Sequence, residues 1–142
     1  MLELESERDW ENEHQPTVLI VQAETSVLVL LSGMFRANGV RPLLARTTAE
    51  AMEIAARQYI PIDAVMCDVR FVPESGPDVV DDIRALRPGI RPVYLSAVVD
   101  DGAIRMKIMR QVAPKYFIHA PHVGPVEAVR GALSAQLLRA GA

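Results

Sequence analysis

The chain has little cysteine and no long apolar run, and each shortage excludes a class of protein. Cys67 is the only cysteine among 142 residues, so neither an internal disulfide nor a thiolate zinc cluster can form. Its neighbours Val65 and Met66 favour a small buried side chain over a reactive thiol. The longest apolar run, Val27 to Leu31, is far shorter than the roughly 20 residues that cross a bilayer. No membrane span is therefore predicted.

Positive charge is also scarce at the N-terminus, where a secretory signal would carry it. Residues 1–16 hold six of the 18 acidic and one of the 15 basic residues, and one minus six gives −5. The remaining 14 basic and 12 acidic residues give residues 17–142 a charge of +2 without a dense basic tract, so nucleic-acid binding is not predicted. We expect a cytoplasmic protein with an acidic tail, 1–16, and one domain, 17–142.

Residues 1–16 contain three side chains large and apolar enough to bury much surface, Leu2, Leu4 and Trp10, and the segment ends at Pro16. Its polar, acidic composition is typical of a solvated tail. The alternative is that these three side chains dock on the domain or on a partner.

The rest of the chain alternates short apolar strands with amphipathic helices. The continuous aliphatic run from Thr17 to Val21 is typical of a central parallel strand, whereas Pro42 indicates an edge strand. Five alternations predict an α/β domain, a (βα)5 parallel sheet wound on both faces. The predicted strands are 17–21, 40–45, 63–68, 91–96 and 115–118, and the helices are about 27–37, 47–57, 77–86, 102–111 and 125–139.

Local signals place several helix ends. Thr25 or Ser26 is predicted to cap the first helix, and Gly39 to end it in the left-handed conformation. The run from Thr47 to Glu50 is a capping-box pattern at the start of the second helix.

Two polar side chains close neighbouring strands. Asp68 ends the third strand and Ser96 ends the fourth. In an open α/β sheet, ligands bind outside the carboxyl ends of the strands, so both residues are candidates for function. The alternatives are that Asp68 only begins a turn and that Ser96 is an ordinary loop hydroxyl.

Three features in combination resemble the receiver (CheY-like) domain of two-component response regulators. They are the Asp-x-x-x-x-Pro-x-Ser-Gly-Pro run from Asp68 to Pro77, Ser96 at its strand end, and Phe117 three residues before Ala120. The resemblance covers about residues 17–138 and implies a flavodoxin-like five-stranded sheet with strand order 2-1-3-4-5. In that family a histidine kinase phosphorylates the aspartate that ends strand three, which is Asp68 here. Ser96 and Phe117 match the family's switch hydroxyl and switch aromatic.

The sequence departs from the family pattern at three positions. The family places two acids after strand one to hold Mg²⁺, and here Gln22 and Ala23 stand there; Ala120 stands where the family has a lysine. Mg²⁺ usually relies on carboxylates, and phosphoryl transfer relies on charge neutralisation. One contact between unit charges 4 Å apart is worth about 4 kcal/mol at an effective dielectric constant of about 20. We therefore expect no Mg²⁺ cofactor, with Glu24 as the only nearby acid that could substitute.

His119 and His122 lie on either side of Pro121, which the resemblance suggests is a cis proline. Two histidines at this separation can resemble a metal pair or a phosphorelay site, but no third ligand accompanies them. No metal site is predicted. Arg70, two residues after Asp68, is either a compensating positive charge or a solvated loop residue.

The preferred hypothesis is a degenerate, single-domain pseudo-receiver that signals through protein–protein interaction without normal aspartyl phosphorylation. One alternative is a receiver that is phosphorylated on Asp68 by an altered mechanism, and another is a module that binds a small ligand in the strand-end crevice. No enzyme is expected, because no nucleophile–base pair is visible. The expected partner is a histidine kinase, another regulator or an output protein.

The resemblance also suggests an interaction surface, the face formed by the fourth helix, fifth strand and fifth helix, which receivers often use for homodimers and targets. Basic residues in these segments either charge that face or are simply solvated: Arg105, Lys107, Arg110, Lys115 and Arg130.

Overall fold

The structure is a computed structural model, and it describes residues 15–68, 74–96, 117–119 and 124–141. Five strands and four helices lie in these ranges. The strands are β1 (Thr17–Val21), β2 (Arg41–Ala45), β3 (Ala64–Asp68), β4 (Arg91–Ser96) and β5 (Phe117–His119). The helices are α1 (Thr25–Ala37), α2 (Thr48–Ala56), α3 (Gly76–Leu86) and α4 (Pro125–Gly141).

The strands form one parallel sheet in the order β2-β1-β3-β4-β5. The predicted flavodoxin-like α/β architecture with the strand order 2-1-3-4 is confirmed. The fifth βα unit is described only in part: β5 has three residues, and the predicted helix 102–111 lies outside the described residues. No helix in the described ranges is long and apolar enough to cross a membrane.

The core has two halves, one on each face of the sheet. Successive strand residues point to opposite faces, so Leu19 and Val21 of β1 pack with α2 and α3, whereas Val18 and Ile20 pack with α1 and α4. The continuous apolar run of β1 follows from this double coverage, because no face of a central strand meets water.

Strand β2 lies at one edge of the sheet, as Pro42 predicts. The backbone N–H of Arg41 donates to the carbonyl of Pro16 at 2.8 Å, and the N–H of Gln22 donates to the carbonyl of Ala45 at 3.0 Å. Successive N–H groups of a strand alternate in direction, and the N–H of Arg41 points toward β1. The nitrogen of Pro42 therefore points away from β1, so its missing N–H costs no hydrogen bond within the sheet.

Helix ends follow the local chemistry with one exception. Gly39 has a φ of 77°, and Thr47 Oγ1 accepts a hydrogen bond from the N–H of Glu50 at 3.1 Å. Helix α3 begins after Ser75, whose Oγ accepts from the N–H of Asp78 at 3.3 Å. The predicted cap of α1 is wrong: the helix already begins at Thr25, and its N-cap residue Glu24 makes no side-chain capping bond.

Arg87, at the end of α3, binds the backbone at the end of α2 and in the segment that follows it. Its guanidinium donates to three backbone carbonyls, those of Ala55 (2.9 Å), Ile60 (2.7 Å) and Arg57 (2.6 Å). A planar cation with several donors suits this role, because one side chain satisfies carbonyls that the end of α2 leaves open. Helices α2 and α3 are thereby joined at the edge of the sheet opposite Asp68.

Candidate functional site at the strand ends

Asp68 is the last residue of β3, and it is half-buried at the carboxyl edge of the sheet. Its register partner on β4 is Leu95, and the preceding Cys67 pairs with both Val21 and Tyr94. Gln22 and Ser96 directly follow Val21 and Leu95, so their backbone positions lie on either side of Asp68. The structure therefore brings three predicted site positions to one edge.

Phe117 lies one strand further along this edge. It begins β5 and pairs with Tyr94, while Ser96 pairs with His119. Ser96 and Phe117 are described by their backbone alone, and Ala120, His122 and Arg70 lie outside the described residues. The roles that the resemblance suggests for these residues stay predictions.

Gln22 occupies the first position after β1, and its side chain is turned back on the loop. The residue is buried, and its Oε1 accepts a hydrogen bond from the N–H of Glu24 at 3.2 Å. Ala23 between them is exposed and offers only a methyl group. The amide of Gln22 thus stabilises the turn into α1, where the family's pattern would place carboxylates facing a cation.

These residues do not fit a magnesium site of the receiver type. Asp68 supplies one carboxylate, but the amide oxygen of Gln22 is engaged by the backbone and Ala23 has no oxygen beyond its own carbonyl. Glu24 is exposed in the loop. Among the described residues, no group of three or more histidine, cysteine or acidic side chains is arranged to hold a metal ion.

Cys67 is buried, as predicted, and its thiol lies beside the site. The Sγ–H donates to the backbone carbonyl of Asp68 at 3.4 Å. Burial, together with the negative charge of Asp68, raises the pKa of Cys67 far above that of a free thiol. The group is therefore a neutral packing residue at neutral pH.

The residue that the sequence analysis missed is Tyr94, which is wholly buried in β4 next to Cys67. Burial raises the pKa of its phenol, and the charges of Cys67, Asp81 and Asp78 add to the shift while Arg84 opposes it. The ring belongs to the half of the core that α3 covers, together with Val79, Val80 and Ile83. A tyrosine in the middle of an apolar strand was the available signal, since a buried phenol needs a polar partner.

Arg130, one of the basic residues of the predicted interaction face, contacts the end of α1. Its guanidinium donates to the carbonyl of Asn38 at the end of α1, across the groove between α1 and α4. This contact turns the side chain toward α1. The other four basic residues of the predicted face, Arg105, Lys107, Arg110 and Lys115, lie outside the described residues.

A cavity of about 320 Å³ lies away from the strand ends that carry Asp68. Gln58, Asp63 and Arg87 line it together with the residues that join α3 to β4. Two of its polar groups are engaged structurally, because Asp63 Oδ2 accepts from the N–H of Thr17 at 2.8 Å and Arg87 binds carbonyls. This cavity therefore gives no support to a ligand beside Asp68.

Comparison with known proteins gives one curated relative of moderate similarity. The chain is 28% identical over 101 residues to the transcriptional regulatory protein ZraR of Escherichia coli (strain K12). The match covers 71% of this chain and 22% of that protein, so the chain spans about a fifth of the length of its relative. No family model matches the sequence.

Similar solved structures are response regulator receiver domains. A CheY-like receiver domain protein from Methanospirillum hungatei JF-1 has a TM-score of 0.75 at 18% identity, covering 87% of this chain and 98% of that one. A response regulator from Burkholderia pseudomallei with a phosphorylated aspartic acid has a TM-score of 0.69 at 18% identity, covering 89% and 72%. The chain therefore has the fold of response regulator receiver domains.

Proposed function

We propose that this chain is a receiver-like module of two-component signalling that acts through protein–protein interaction, without Mg²⁺-dependent phosphorylation of Asp68. The observation that carries the proposal is the chemistry after β1, where an amide and a methyl group stand in place of two carboxylates. Gln22 Oε1 is bonded to the N–H of Glu24 at 3.2 Å, so this amide already has a structural role.

The charge balance at Asp68 supports the proposal. A phosphoryl group approaching a carboxylate needs positive charge to neutralise the transition state. Acids that would retain a divalent cation are absent at Gln22 and Ala23, and Ala120 replaces the lysine that would supply a fixed charge. Each lost contact is worth about 4 kcal/mol at an effective dielectric constant of about 20, or roughly three decades in rate.

A second candidate function is a phosphoryl switch at Asp68 that works by an altered mechanism. The half-burial of Asp68 and its register next to Ser96 favour this candidate. The similar Burkholderia pseudomallei structure holds a phosphorylated aspartic acid and a calcium ion. That candidate requires Glu24 or a residue from another segment to supply the cation site.

The proposal includes the whole (βα)5 domain, residues 17–142, in the cytoplasm. The partner is a histidine kinase, another regulator or an output protein, and the interaction face includes the predicted helix 102–111, β5 and α4. Helix α4 packs on Val93 of β4, and β4 pairs with β5. This packing supports the proposed face, because it places α4 and β5 next to each other. Signalling by contact requires no turnover, so no enzymatic activity is proposed.

The deciding experiment is treatment of the full chain with acetyl phosphate and Mg²⁺, followed by intact mass measurement. We expect no modification that depends on Asp68. The triple variant Gln22→Asp, Ala23→Asp, Ala120→Lys restores the acidic pair and the lysine and is the matched control: it should gain a phosphoryl group that a further Asp68→Asn change removes. Stoichiometric labelling of the unaltered chain, lost in Asp68→Asn, would overturn the proposal in favour of the switch.

A further inference from the structure

Helix α1 exposes two large apolar side chains on the side that faces away from the sheet. Val29 and Leu30 are each 63% exposed, whereas Leu28, Leu31 and Phe35 are buried against the core. Beside them, a Cβ added at Gly33 would meet nothing within 4 Å, so the surface there is open. The exposed apolar patch of α1 is the pair Val29 and Leu30.

The patch lies on a helix that carries one positive charge and no negative charge. Helix α1 contains no acid, and its one charged residue is Arg36 in the last turn. Arg41 at the start of β2 is also exposed, and neither arginine forms an ion pair with another described residue. The surface thus offers apolar contact and positive charge side by side.

The chain enters the domain next to these arginines. The carbonyl of Pro16 accepts a hydrogen bond from the N–H of Arg41 at 2.8 Å, which fixes residues 15 and 16 at the end of the sheet where α1 finishes. Six extended residues separate Trp10 from Pro16 and span about 20 Å. Six helical residues separate Arg36 from Leu30 and span about 9 Å. Residues 1–14 are long enough to cover the patch.

The composition of residues 1–14 complements this surface. They carry six acids, one arginine and the apolar side chains Leu2, Leu4 and Trp10. Two exposed side chains make too small a patch for a stable dimer, which buries roughly 800 Å² per partner. A segment of the same chain needs much less contact area, because its local concentration reaches roughly the millimolar range.

We propose that residues 1–14 dock in cis along α1, with Trp10 against Val29 and Leu30 and the acids toward Arg36 and Arg41. The docked segment covers the exposed apolar patch of α1. This inference is independent of the proposed function, since it requires no property of Asp68.

Trp10 is the only tryptophan, so its fluorescence in the full chain reports the contact directly. We expect a blue-shifted emission and weak quenching by acrylamide, both unchanged when the protein is diluted. The double variant Val29→Gln, Leu30→Gln should lower the ratio of docked to undocked molecules about tenfold. Tyr59→Gln is the matched control, because Tyr59 is 81% exposed after α2, which packs on the other face of the sheet.

A separate set of variants tests the contribution of charge to docking. Arg36→Glu with Arg41→Glu should expose Trp10 to acrylamide, and added salt should do the same in the unaltered chain. Circular dichroism and the unfolding midpoint establish that each variant is folded. Emission of a fully exposed indole in the folded full chain would overturn the proposal. Protection of Trp10 that disappears on dilution would overturn it as well, in favour of a second copy as the occupant.

Discussion

Two glycines in and after α1 show how backbone conformation determines whether an added side chain stabilises or destabilises the fold. Gly39 has a φ of 77°, in the left-handed region, whereas Gly33 is inside α1 with open space where a Cβ would lie. We predict that Gly39→Ala lowers the free energy of unfolding by about 1 kcal/mol. Gly33→Ala should raise it by up to about 1 kcal/mol. Urea denaturation of both variants measures the pair, and equal signs would contradict this account.

For single residues, the sequence predicted where a residue lies in the fold better than it predicted what the side chain contacts. Asp68 was found because a strand pattern ends there, and Cys67 because its neighbours are apolar. The hydrogen bond from Glu24 to Gln22 could not be predicted, since it depends on the loop conformation between a strand and a helix. Tyr94 was missed because a period of two does not distinguish a buried phenol from a buried aliphatic residue.

At the scale of the elements, Arg87 is expected to determine how firmly α2 is held against α3. Its guanidinium binds the carbonyls of Ala55, Arg57 and Ile60. We predict that Arg87→Ala lowers the free energy of unfolding by about 2 to 3 kcal/mol, because charge-assisted hydrogen bonds are lost and partly buried carbonyls are left open. Chemical denaturation measures the loss, and hydrogen exchange should show faster opening of α2.

The matched control for this prediction is Arg57→Ala. The side chain of Arg57 pairs with Glu53 at 2.8 Å, but the two side chains are 49% and 66% exposed. An exposed ion pair one helical turn apart contributes about 0.5 kcal/mol or less. A loss in Arg87→Ala no larger than that in Arg57→Ala would show that the three carbonyl contacts do not hold the helices together.

Element boundaries were predicted closely where a cap or a glycine marks them. Thr47 and Gly39 lie at helix ends, as the side chain of the first and the backbone freedom of the second require. The start of α1 was placed two residues late, because Thr25 and Ser26 resemble caps but lie inside the first turn. The Arg87 contacts join residues about 30 positions apart, and local periodicity carries no information about such pairs.

For the whole molecule, the pH dependence of stability should reflect two buried groups in the same half of the core, Cys67 and Tyr94. Burial raises the pKa of each above its usual value, so both stay protonated in the folded state. Above pH 9 to 10 the unfolded chain ionises them and binds fewer protons than the folded chain. The free energy of unfolding must therefore fall as pH rises, by up to about 1.4 kcal/mol per pH unit for each group.

Tyr94→Phe removes one of these groups and should flatten the decline above about pH 10, even though the variant starts from a lower stability. Tyr59→Phe, at an exposed side chain, serves as the control. Urea denaturation at a series of alkaline pH values gives the slopes. The same slope in Tyr94→Phe and in the unaltered chain would contradict the assignment.

The proline at the outer edge of the sheet also affects how the whole molecule meets others. A strand that tried to extend the sheet beyond β2 would find no N–H at Pro42, and one of its own carbonyls would lose its hydrogen bond. The flanking arginines, Arg41 and Arg46, are exposed and add charge repulsion between identical edges. Pro42 thus disfavours fibre-like stacking of copies of this domain through the β2 edge.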